Sequence, residues 1–360
     1  MVKRSWIGIL IVLSMFVFAT GCDLIKKKDT DPADSFKRGP SGLLMEFVPN
    51  YPGDKYIVSE ATEAISIVID IRNKGTYPPS TAPENGQFPR GKIYLSGFDD
   101  RIINMNVEGL TEENILKEGK TKALSEMFLP AASPINPLGS IDTAQFDGKI
   151  IGDNIRIDRY EPTILVTACY PYITKASPNV CIDPSPFDST EEKVCSIGSQ
   201  KLSTQGAPVA VTKIDQEAAT NKIQFKITIK NVGDGDVLKS GTSEDKDGNE
   251  VEVLDKCSPL GGGKLDRKDF DKVKVIGITV GDVALWSDEK ADNKCGPFAD
   301  GTQDIIRLFG GEGFVICTLD ITDLGDVQSA YTTPISINLN YTYRSTISKG
   351  ISITKLTAIS

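Results

Sequence analysis

Alternating apolar and polar residues in two segments of the chain predict two matching β-strands. Residues 65–75 read ISIVIDIRNKG, and residues 223–233 read IQFKITIKNVG. In both segments an isoleucine or phenylalanine occupies every second position, and alternate side chains of a strand point to the same face of a sheet. Both segments end in Asn-x-Gly, and Asn and Gly tolerate the positive φ of a turn. We therefore expect each strand to bury one face and to end in a turn.

A second pair of segments matches at an offset of 171 residues. Residues 160–182 read YEPTILVTACYPYITKASPNVCI, and residues 331–353 read YTTPISINLNYTYRSTISKGISI, with tyrosine and isoleucine at equivalent places. A weaker match relates residues 92–97 to residues 272–277. The three elements follow in the same order in both halves. Each copy of the long segment predicts a β-hairpin that closes its half of the chain.

This repeat predicts the domain organisation. Two copies of about 150 residues, built from short strands and turns, are typical of β-sandwiches. We predict an all-β chain, with one short helix over residues 111–117 (TEENILK) as a loop decoration. Its parts are a signal peptide, a tether, a first sandwich, a linker and a second sandwich, over residues 1–21, 22–41, 42–186, 187–206 and 207–360.

The strand motif I-x-I-x-I-x-[RK]-N-x-G resembles one found in the cell-adhesion-related and similar immunoglobulin-like modules of bacterial and archaeal surface proteins. The resemblance covers about a third of each half. It implies two tandem immunoglobulin-like β-sandwich domains. It also implies roles in display, adhesion or assembly rather than catalysis.

The N-terminus predicts export. Lys3 and Arg4 precede an apolar run over residues 6–19 that is shorter than the roughly 20 residues of a membrane span. Ala19-Thr20-Gly21-Cys22 resembles a lipobox, although Ala19 stands where that pattern prefers Leu. The resemblance implies that Cys22 carries a lipid. The alternative is an uncleaved N-terminal anchor, and both interpretations place the body of the protein outside the cytoplasm.

The cysteine count supports an oxidising compartment. Of the seven cysteines, assigning Cys22 to lipid leaves six, enough for three disulfides. Strand parity in a hairpin centred on Lys175 places Cys169 and Cys181 opposite each other on the outward face, which predicts a Cys169–Cys181 bridge. The other four cysteines allow three pairings. Of these, we favour Cys257–Cys295 and Cys195–Cys317.

Composition narrows the possible functions. The chain has no histidine, which excludes Ser-His-Asp triads, Cys-His dyads and histidine-ligated zinc or iron sites within one chain. Its formal charge of −9 disfavours nucleic acid as a partner. We predict no catalytic residues, no cofactor and no metal site.

Three segments have both a chemical and a structural interpretation. Residues 245–252 (DKDGNEVE) resemble a calcium loop, but Glu250 stands where an EF-hand requires glycine, so a hairpin turn is the alternative. Asp99 and Asp100 could form a carboxylate pair for glycoside hydrolysis or could simply face solvent. Trp286 could be a sugar platform or part of the core.

Glycines and one asparagine complete the candidates. Residues 261–263 and 310–313 are glycine-rich but lack the phosphate-loop pattern, so we interpret them as turns. Asn340 begins the sequon Asn-Tyr-Thr on the outward face of its strand, where it is either glycosylated or a bare surface residue.

These observations predict a non-enzymatic lipoprotein of the cell surface, with a structural, adhesive or protein- or glycan-binding role in the envelope. Its expected partners are the membrane, through the N-terminal lipid, and an unknown envelope protein or glycan. The alternative is an extracytoplasmic ligand-binding lipoprotein that delivers a small molecule or glycan. Such proteins usually have helix-rich lobes, and this chain lacks the corresponding periodic segments.

Overall fold

The structure, a computed structural model, is all-β, as the sequence predicts. It describes residues 39–59, 62–78, 90–105, 119–188, 192–219, 221–245, 247–260, 264–288, 293–325 and 327–356. The predicted helix over residues 111–117 lies outside these ranges. The strands are β1 Leu43–Phe47, β2 Lys55–Val58, β3 Thr62–Asn73, β4 Lys92–Ser96, β5 Ile103–Asn104, β6 Thr121–Ala123, β7 Ile141–Ile151, β8 Arg159–Tyr160, β9 Thr163–Ala176, β10 Asn179–Ile182, β11 Ser199–Lys201, β12 Val209–Ala219, β13 Lys222–Asn231, β14 Asp236–Leu238, β15 Thr242–Glu244, β16 Glu250–Glu252, β17 Lys272–Val280, β18 Val283–Trp286, β19 Cys295–Gly296, β20 Ile305–Arg307, β21 Glu312–Asp320, β22 Tyr331–Gly350 and β23 Ser352–Lys355.

Helical segments in the described part are short. One α-helix spans Val253–Lys256, and four 3-10 turns span Leu124–Glu126, Gly152–Asn154, Arg267–Asp269 and Ile321–Leu324. The helix follows directly on β16 and carries buried Val253 and Leu254. These segments connect strands and cover sheet faces.

The two matching strands predicted from the sequence are β3 and β13. Their alternate side chains are almost completely buried: Ile65, Ile67, Ile69 and Ile71 on β3, and Ile223, Phe225, Ile227 and Ile229 on β13. Each strand occupies the middle of an antiparallel sheet, in the orders β1-β3-β7-β5 and β11-β12-β13-β21-β19. The predicted period-two burial is therefore confirmed in both halves.

A third sheet runs through both halves, and we call it the shared sheet. Its main path is β18-β17-β22-β9-β4-β6. β9 and β22, which contain the second pair of matching segments, are antiparallel neighbours from Thr163↔Gly350 to Ala176↔Ile337. Each matching segment thus pairs with the other copy.

The prediction of a hairpin in each copy of the long segment is wrong. The second copy forms the single strand β22, whose successor β23 pairs with β2 and β8, and the first copy does not turn around Lys175. β10 does not fold back on β9 but continues along β22 in the same register, beginning at Asn179↔Pro334. The Ile335 N–H donates to the Pro178 carbonyl at 2.9 Å across the short gap between β9 and β10. The segment that was predicted to be a closed hairpin is one long, interrupted strand.

The register places a pseudo-twofold relation at the centre of the shared sheet. Pro171 pairs with Thr342, which is also its equivalent in the sequence repeat. On either side, Tyr170 pairs with Tyr343 and Tyr172 with Tyr341. Their rings are in contact, with centroids 5.9 Å and 5.8 Å apart in the two cross-strand pairs. We call these four residues the tyrosine cluster.

The Asn-x-Gly turns of both halves lie against the tyrosine cluster. The Asn73 amide donates to the Tyr77 carbonyl, and the Asn231 amide donates to the Gly235 carbonyl, both at 2.9 Å. The glycine of each turn leaves room for a tyrosine hydroxyl, because a Cβ on Gly75 or Gly233 would lie well under 3.0 Å from that oxygen. The repeated motif is therefore a turn that fits against a buried tyrosine.

Each hydroxyl of the cluster accepts a hydrogen bond from a backbone N–H of its own half. Leu43 N–H donates to Tyr170, and Val209 N–H to Tyr341, both at 3.2 Å. Tyr172 accepts from Thr76 N–H at 3.0 Å, and Tyr343 accepts from Gly235 N–H at 2.6 Å. Buried tyrosines usually find such partners. The cluster thus fixes the start of the first strand and the Asn-x-Gly turn in each half.

The C-terminal strand also connects the halves. β23 pairs parallel with β2 and antiparallel with β8, and both of these partners come from the first half of the sequence. All described residues belong to one compact unit, and one large apolar core cluster draws on both halves. The prediction of two separate immunoglobulin-like domains is not confirmed. Part of the predicted linker is β11, which is paired with β12.

A smaller apolar cluster covers the outer face of the shared sheet at Cys169. It contains Tyr94, Cys169, Leu238, Val253, Leu254 and Cys257. Lys256 belongs to the helix that carries Val253 and Leu254. Its ammonium lies 2.9 Å from the Asp269 carboxylate, and both side chains are buried. Burial alone would raise the pKa of Asp269, but hydrogen bonds from Lys256 and from the Asp266 N–H bring it below its usual value. The helix Val253–Lys256 and Cys257 are therefore packed into the body of the protein.

Candidate functional site

Six cysteines form three disulfides, as predicted, but the predicted pairing is wrong. The bridges are Cys169–Cys257, Cys181–Cys195 and Cys295–Cys317. They replace the predicted bridges Cys169–Cys181, Cys257–Cys295 and Cys195–Cys317. Such bridges are typical of proteins in oxidising, extracytoplasmic compartments.

The geometry explains the correction. Cys169 does lie on the face opposite Tyr170, but that face is covered by the helix Val253–Lys256, which brings Cys257 to it. Cys181 lies on β10, which pairs with β22 rather than with β9, so it cannot oppose Cys169. Cys295 and Cys317 are directly opposed on β19 and β21. Parity predicted the face of Cys169 correctly but not what covers that face.

Cys22 lies outside the described residues, so its lipidation stays a prediction. Among the residues that the structure does describe, no helix has the length and apolar character to cross a membrane.

Asn340 lies in the interior of β22, paired with Lys274 on β17 and with Ile173 on β9. Its side chain is half-buried, whereas its neighbours Leu339 and Tyr341 are buried in the core. By strand alternation Asn340 occupies the predicted outward face. Its glycosylation stays a prediction.

The DKDGNEVE segment is a hairpin. β15 directly precedes it, and β16, which forms its last three residues, pairs antiparallel with β15. One Asp245 oxygen accepts the N–H groups of Asn249 at 2.8 Å and of Asp247 at 2.9 Å. The Asn249 bond is the main reason that the pKa of Asp245 is lowered. The turn interpretation is therefore confirmed. In the described ranges, no group of three or more His, Cys, Asp or Glu could hold a metal ion.

The adjacent aspartates each contact a cation. Asp99 pairs with Arg101 at 2.6 Å, and the hydrogen bond from that guanidinium is the main cause that lowers the pKa of Asp99 to about 2. Asp100 pairs with Lys120 at 2.7 Å. A general acid at neutral pH needs a raised pKa, so the geometry at Asp99 opposes that role.

Trp286 and the second glycine-rich segment have structural roles. Trp286 is buried, packs edge-on against Phe298 and donates its indole N–H to the Gln303 carbonyl at 2.6 Å, which confirms the core interpretation. Gly310 and Gly311 both have positive φ in the turn between β20 and β21, as a turn requires. Residues 261–263 lie outside the described ranges.

One groove is large enough for a small ligand. It has a volume of about 600 Å³ and lies between β12 and the loop closed by Cys181–Cys195. Asp183 and Lys193 form an ion pair of 2.7 Å on its wall, and exposed Phe187 stands at its rim. Both polar and apolar groups are therefore available there.

An exposed apolar face lies on the sheet β2-β23-β8, and we call it the far-end face. Ile57, Ile157 and Leu356 are 65%, 60% and 58% exposed. The register pairs both Ile57 and Arg159 with Thr354, so these three side chains share one surface of the sheet. Leu356 directly follows β23, and Ile157 lies two residues before β8. The opposite surface carries Ile353, which is buried in the core. This sheet therefore buries one face in the core, and exposed apolar side chains remain on and beside its other face.

A second exposed apolar surface is the loop before β7, residues 128–140, together with the first residue of that strand. We call residues 128–141 the apolar loop. Its exposed large side chains are Phe128, Ile135, Leu138 and Ile141. The sequence from 128 to 141 (FLPAASPINPLGSI) contains no charged residue. Sequence reasoning missed it because its apolar residues follow neither strand nor helix spacing. The uncharged, proline-rich composition was the available signal.

A scan against protein-family models and a search of curated proteins both find no match to this chain.

Proposed function

We propose that this protein is a non-enzymatic, lipid-anchored protein of the cell envelope whose body binds another envelope protein through the far-end face. The three disulfides support a place outside the cytoplasm. The observation that carries the binding role is the exposure of Ile57, Ile157 and Leu356 on and beside the sheet β2-β23-β8. Exposed apolar surface of this kind marks interaction sites in folded proteins.

The chemistry of the far-end face favours a protein over a glycan. Its exposed apolar groups are aliphatic, whereas sugar-binding surfaces rely on aromatic platforms. Arg159, which pairs with Thr354 on the same surface, forms an exposed ion pair of 2.6 Å with Glu161. Apolar groups mixed with hydrogen-bonding and charged groups are typical of a protein interface.

The test compares partners cross-linked on cells by the parent chain, Ile57→Glu and the control Phe309→Glu. Phe309 is also an exposed apolar residue, but it lies in the turn before β21. We expect a protein adduct that the parent and Phe309→Glu share and that Ile57→Glu loses. Identical adducts from all three chains would contradict the proposal.

The alternative function, delivery of a small ligand, is favoured by the groove beside the Cys181–Cys195 loop. Its volume of about 600 Å³ falls within the range of ligand sites. Native mass spectrometry with glycans and short peptides would test it. A bound ligand released by Phe187→Ala, but not by Phe314→Ala, would support this function, because only Phe187 lines the groove.

A further inference from the structure

The tip of the apolar loop is unusually exposed. Ile135 is 98% exposed and Leu138 is 70% exposed, and Phe128 flanks them. The base of the loop is fixed, since Leu129 and Ala132 are buried and the Ala132 N–H donates to the Gly75 carbonyl at 2.8 Å. The tip is therefore presented to solvent from an ordered base, without contacts that would cover it among the described residues.

The backbone of the tip has few free donors. Pro134 and Pro137 have no N–H group. The N–H groups of Ser133 and Gly139 donate to the Asn136 carbonyl, at 3.0 Å and 3.1 Å, and the Asn136 N–H donates to the Ser133 hydroxyl at 3.1 Å. A segment that enters lipid has to satisfy its backbone polar groups internally. A protein partner that bound by adding a β-strand would instead need a row of free backbone N–H donors, which this loop does not offer.

The loop lies close to the point where the chain enters the described body. The Gly39 N–H donates to the Thr204 hydroxyl at 2.9 Å. The carbonyl of the following residue, Gln205, accepts a hydrogen bond from the Thr76 hydroxyl at 3.0 Å. Thr76 follows Gly75, whose carbonyl holds the base of the loop at Ala132. A short series of contacts therefore connects Gly39 to the apolar loop.

Thirty-eight residues precede Gly39 in the sequence, among them the apolar run 6–19 and Cys22. If the chain is held at a membrane through either feature, the entry point at Gly39 is the part of the body nearest to that attachment along the chain. The apolar loop is then within reach of the same bilayer. Lys74, an exposed cation beside Gly139, adds a group that favours the anionic headgroup region.

We infer that the apolar loop is a membrane-contacting element that inserts Ile135 and Leu138 into the outer part of the bilayer to which the chain is attached. The inference rests on the proposed anchoring. With this contact in place, the loop and the N-terminal attachment hold the body at two points. The far-end face, at the opposite end of the β1-β3-β7 sheet, stays free for a partner.

The test is tryptophan quenching in liposomes that carry brominated lipid chains. The full chain is reconstituted as Trp6→Phe, with Ile135→Trp in one sample and Ile157→Trp in the matched control. Both positions are exposed apolar residues, but Ile157 belongs to the far-end face. Trp286 is buried and supplies the constant background in both samples. We expect strong quenching and a blue-shifted emission at position 135, and neither at position 157.

Liposome flotation separates the two possible failures. A chain that does not float with liposomes overturns the proposed anchoring and the inference together. A chain that floats, but shows equal quenching at positions 135 and 157, overturns the inference and leaves the anchoring intact. As a second readout, Ile135→Ser with Leu138→Ser should expose Lys74 to faster labelling by a membrane-impermeant amine reagent on liposomes. Unchanged labelling would oppose the inference.

Discussion

The contact between the second Asn-x-Gly turn and Tyr343 predicts strong coupling between Gly233 and that tyrosine. The φ of Gly233 is not in the left-handed region, so alanine there meets no backbone strain, and the atom nearest to its methyl group is the Tyr343 hydroxyl oxygen. Moving a buried ring away from such a clash costs about 1–3 kcal/mol. Gly233→Ala should therefore lower the free energy of unfolding by about that amount.

Removing the Tyr343 hydroxyl should lower the cost of the added methyl group. Tyr343→Phe deprives the Gly235 N–H of its acceptor at 2.6 Å, a loss of about 1 kcal/mol for a partly buried donor. In the double variant the added methyl no longer meets an oxygen, and its next neighbours are Pro208 Cβ at 3.1 Å and the Pro40 carbonyl at 3.2 Å. The double variant should be little less stable than Tyr343→Phe alone, which gives a coupling energy of about 1–2 kcal/mol.

Urea unfolding followed by the emission of buried Trp286 measures all four corners of this double-mutant cycle. Gly198→Ala is the matched control, because Gly198 is exposed and a Cβ there meets nothing within 4 Å. The control should unfold with the parent. Additive losses in the double variant would refute the reasoning, because they would mean that the glycine is not required by the tyrosine oxygen.

Three further predictions concern the disulfides, the buried ion pair and the tyrosine cluster. Replacing Cys169 and Cys257 by serine opens an 88-residue loop and should cost about 4–5 kcal/mol, more than removing the bridges that span 14 or 22 residues, as urea midpoints would show. Lys256→Met leaves the Asp269 carboxylate buried without its cation and should cost about 3–5 kcal/mol, and adding Asp269→Leu should recover most of that loss in the same assay. Burial raises the pKa of Tyr343 to about 12 and raises the pKa of the other three tyrosines of the cluster, so stability is full below the unfolded value of 10 and falls as the pH rises above it. The slope should be about 1.4 kcal/mol per pH unit for each tyrosine, and unfolding midpoints that stay constant from pH 9 to pH 11 would contradict it.

Strand faces could be predicted from the sequence because parity alone decides which side chains of a strand share a face. Ile65 and Ile223 begin alternating runs whose isoleucine and phenylalanine side chains, at every second position, all enter the core. The same argument correctly placed Tyr170 and Tyr343 inside and Cys169 on the other face. Period-two alternation reports which side of a strand meets apolar groups, and that property survives any change of pairing partner.

The pairing partners of the strands could not be predicted, because alternation is the same whichever strand is the partner. The segment 160–182 has the alternation of a hairpin around Lys175, but the same residues satisfy parity as one straight strand along β22. The disulfides depend on that choice, and the Cys169–Cys257 bridge also depends on a covering segment with no regular spacing. The apolar loop and the far-end face were missed because exposure is a property of the assembled surface, which local spacing does not encode.

The tyrosine cluster shows why the repeat does not make two independent halves. The hydroxyls of Tyr170 and Tyr172 accept backbone N–H groups of the first half of the chain, and those of Tyr341 and Tyr343 accept N–H groups of the second half. Two further bonds leave the tyrosine's own half: the Tyr172 hydroxyl donates to the Gly206 carbonyl at 2.6 Å, and the Tyr341 hydroxyl lies 2.9 Å from the Thr174 hydroxyl. The rings also pack in pairs across the two copies. The tyrosines of each copy thus pack against tyrosines of the other copy. The register that brings them together also pairs Pro171 with Thr342, the residue equivalent to it in the repeat. The repeat predicts two separate domains joined by a linker. It forms a single body instead, because β9 and β22, the strands that carry the repeat, pair extensively with each other.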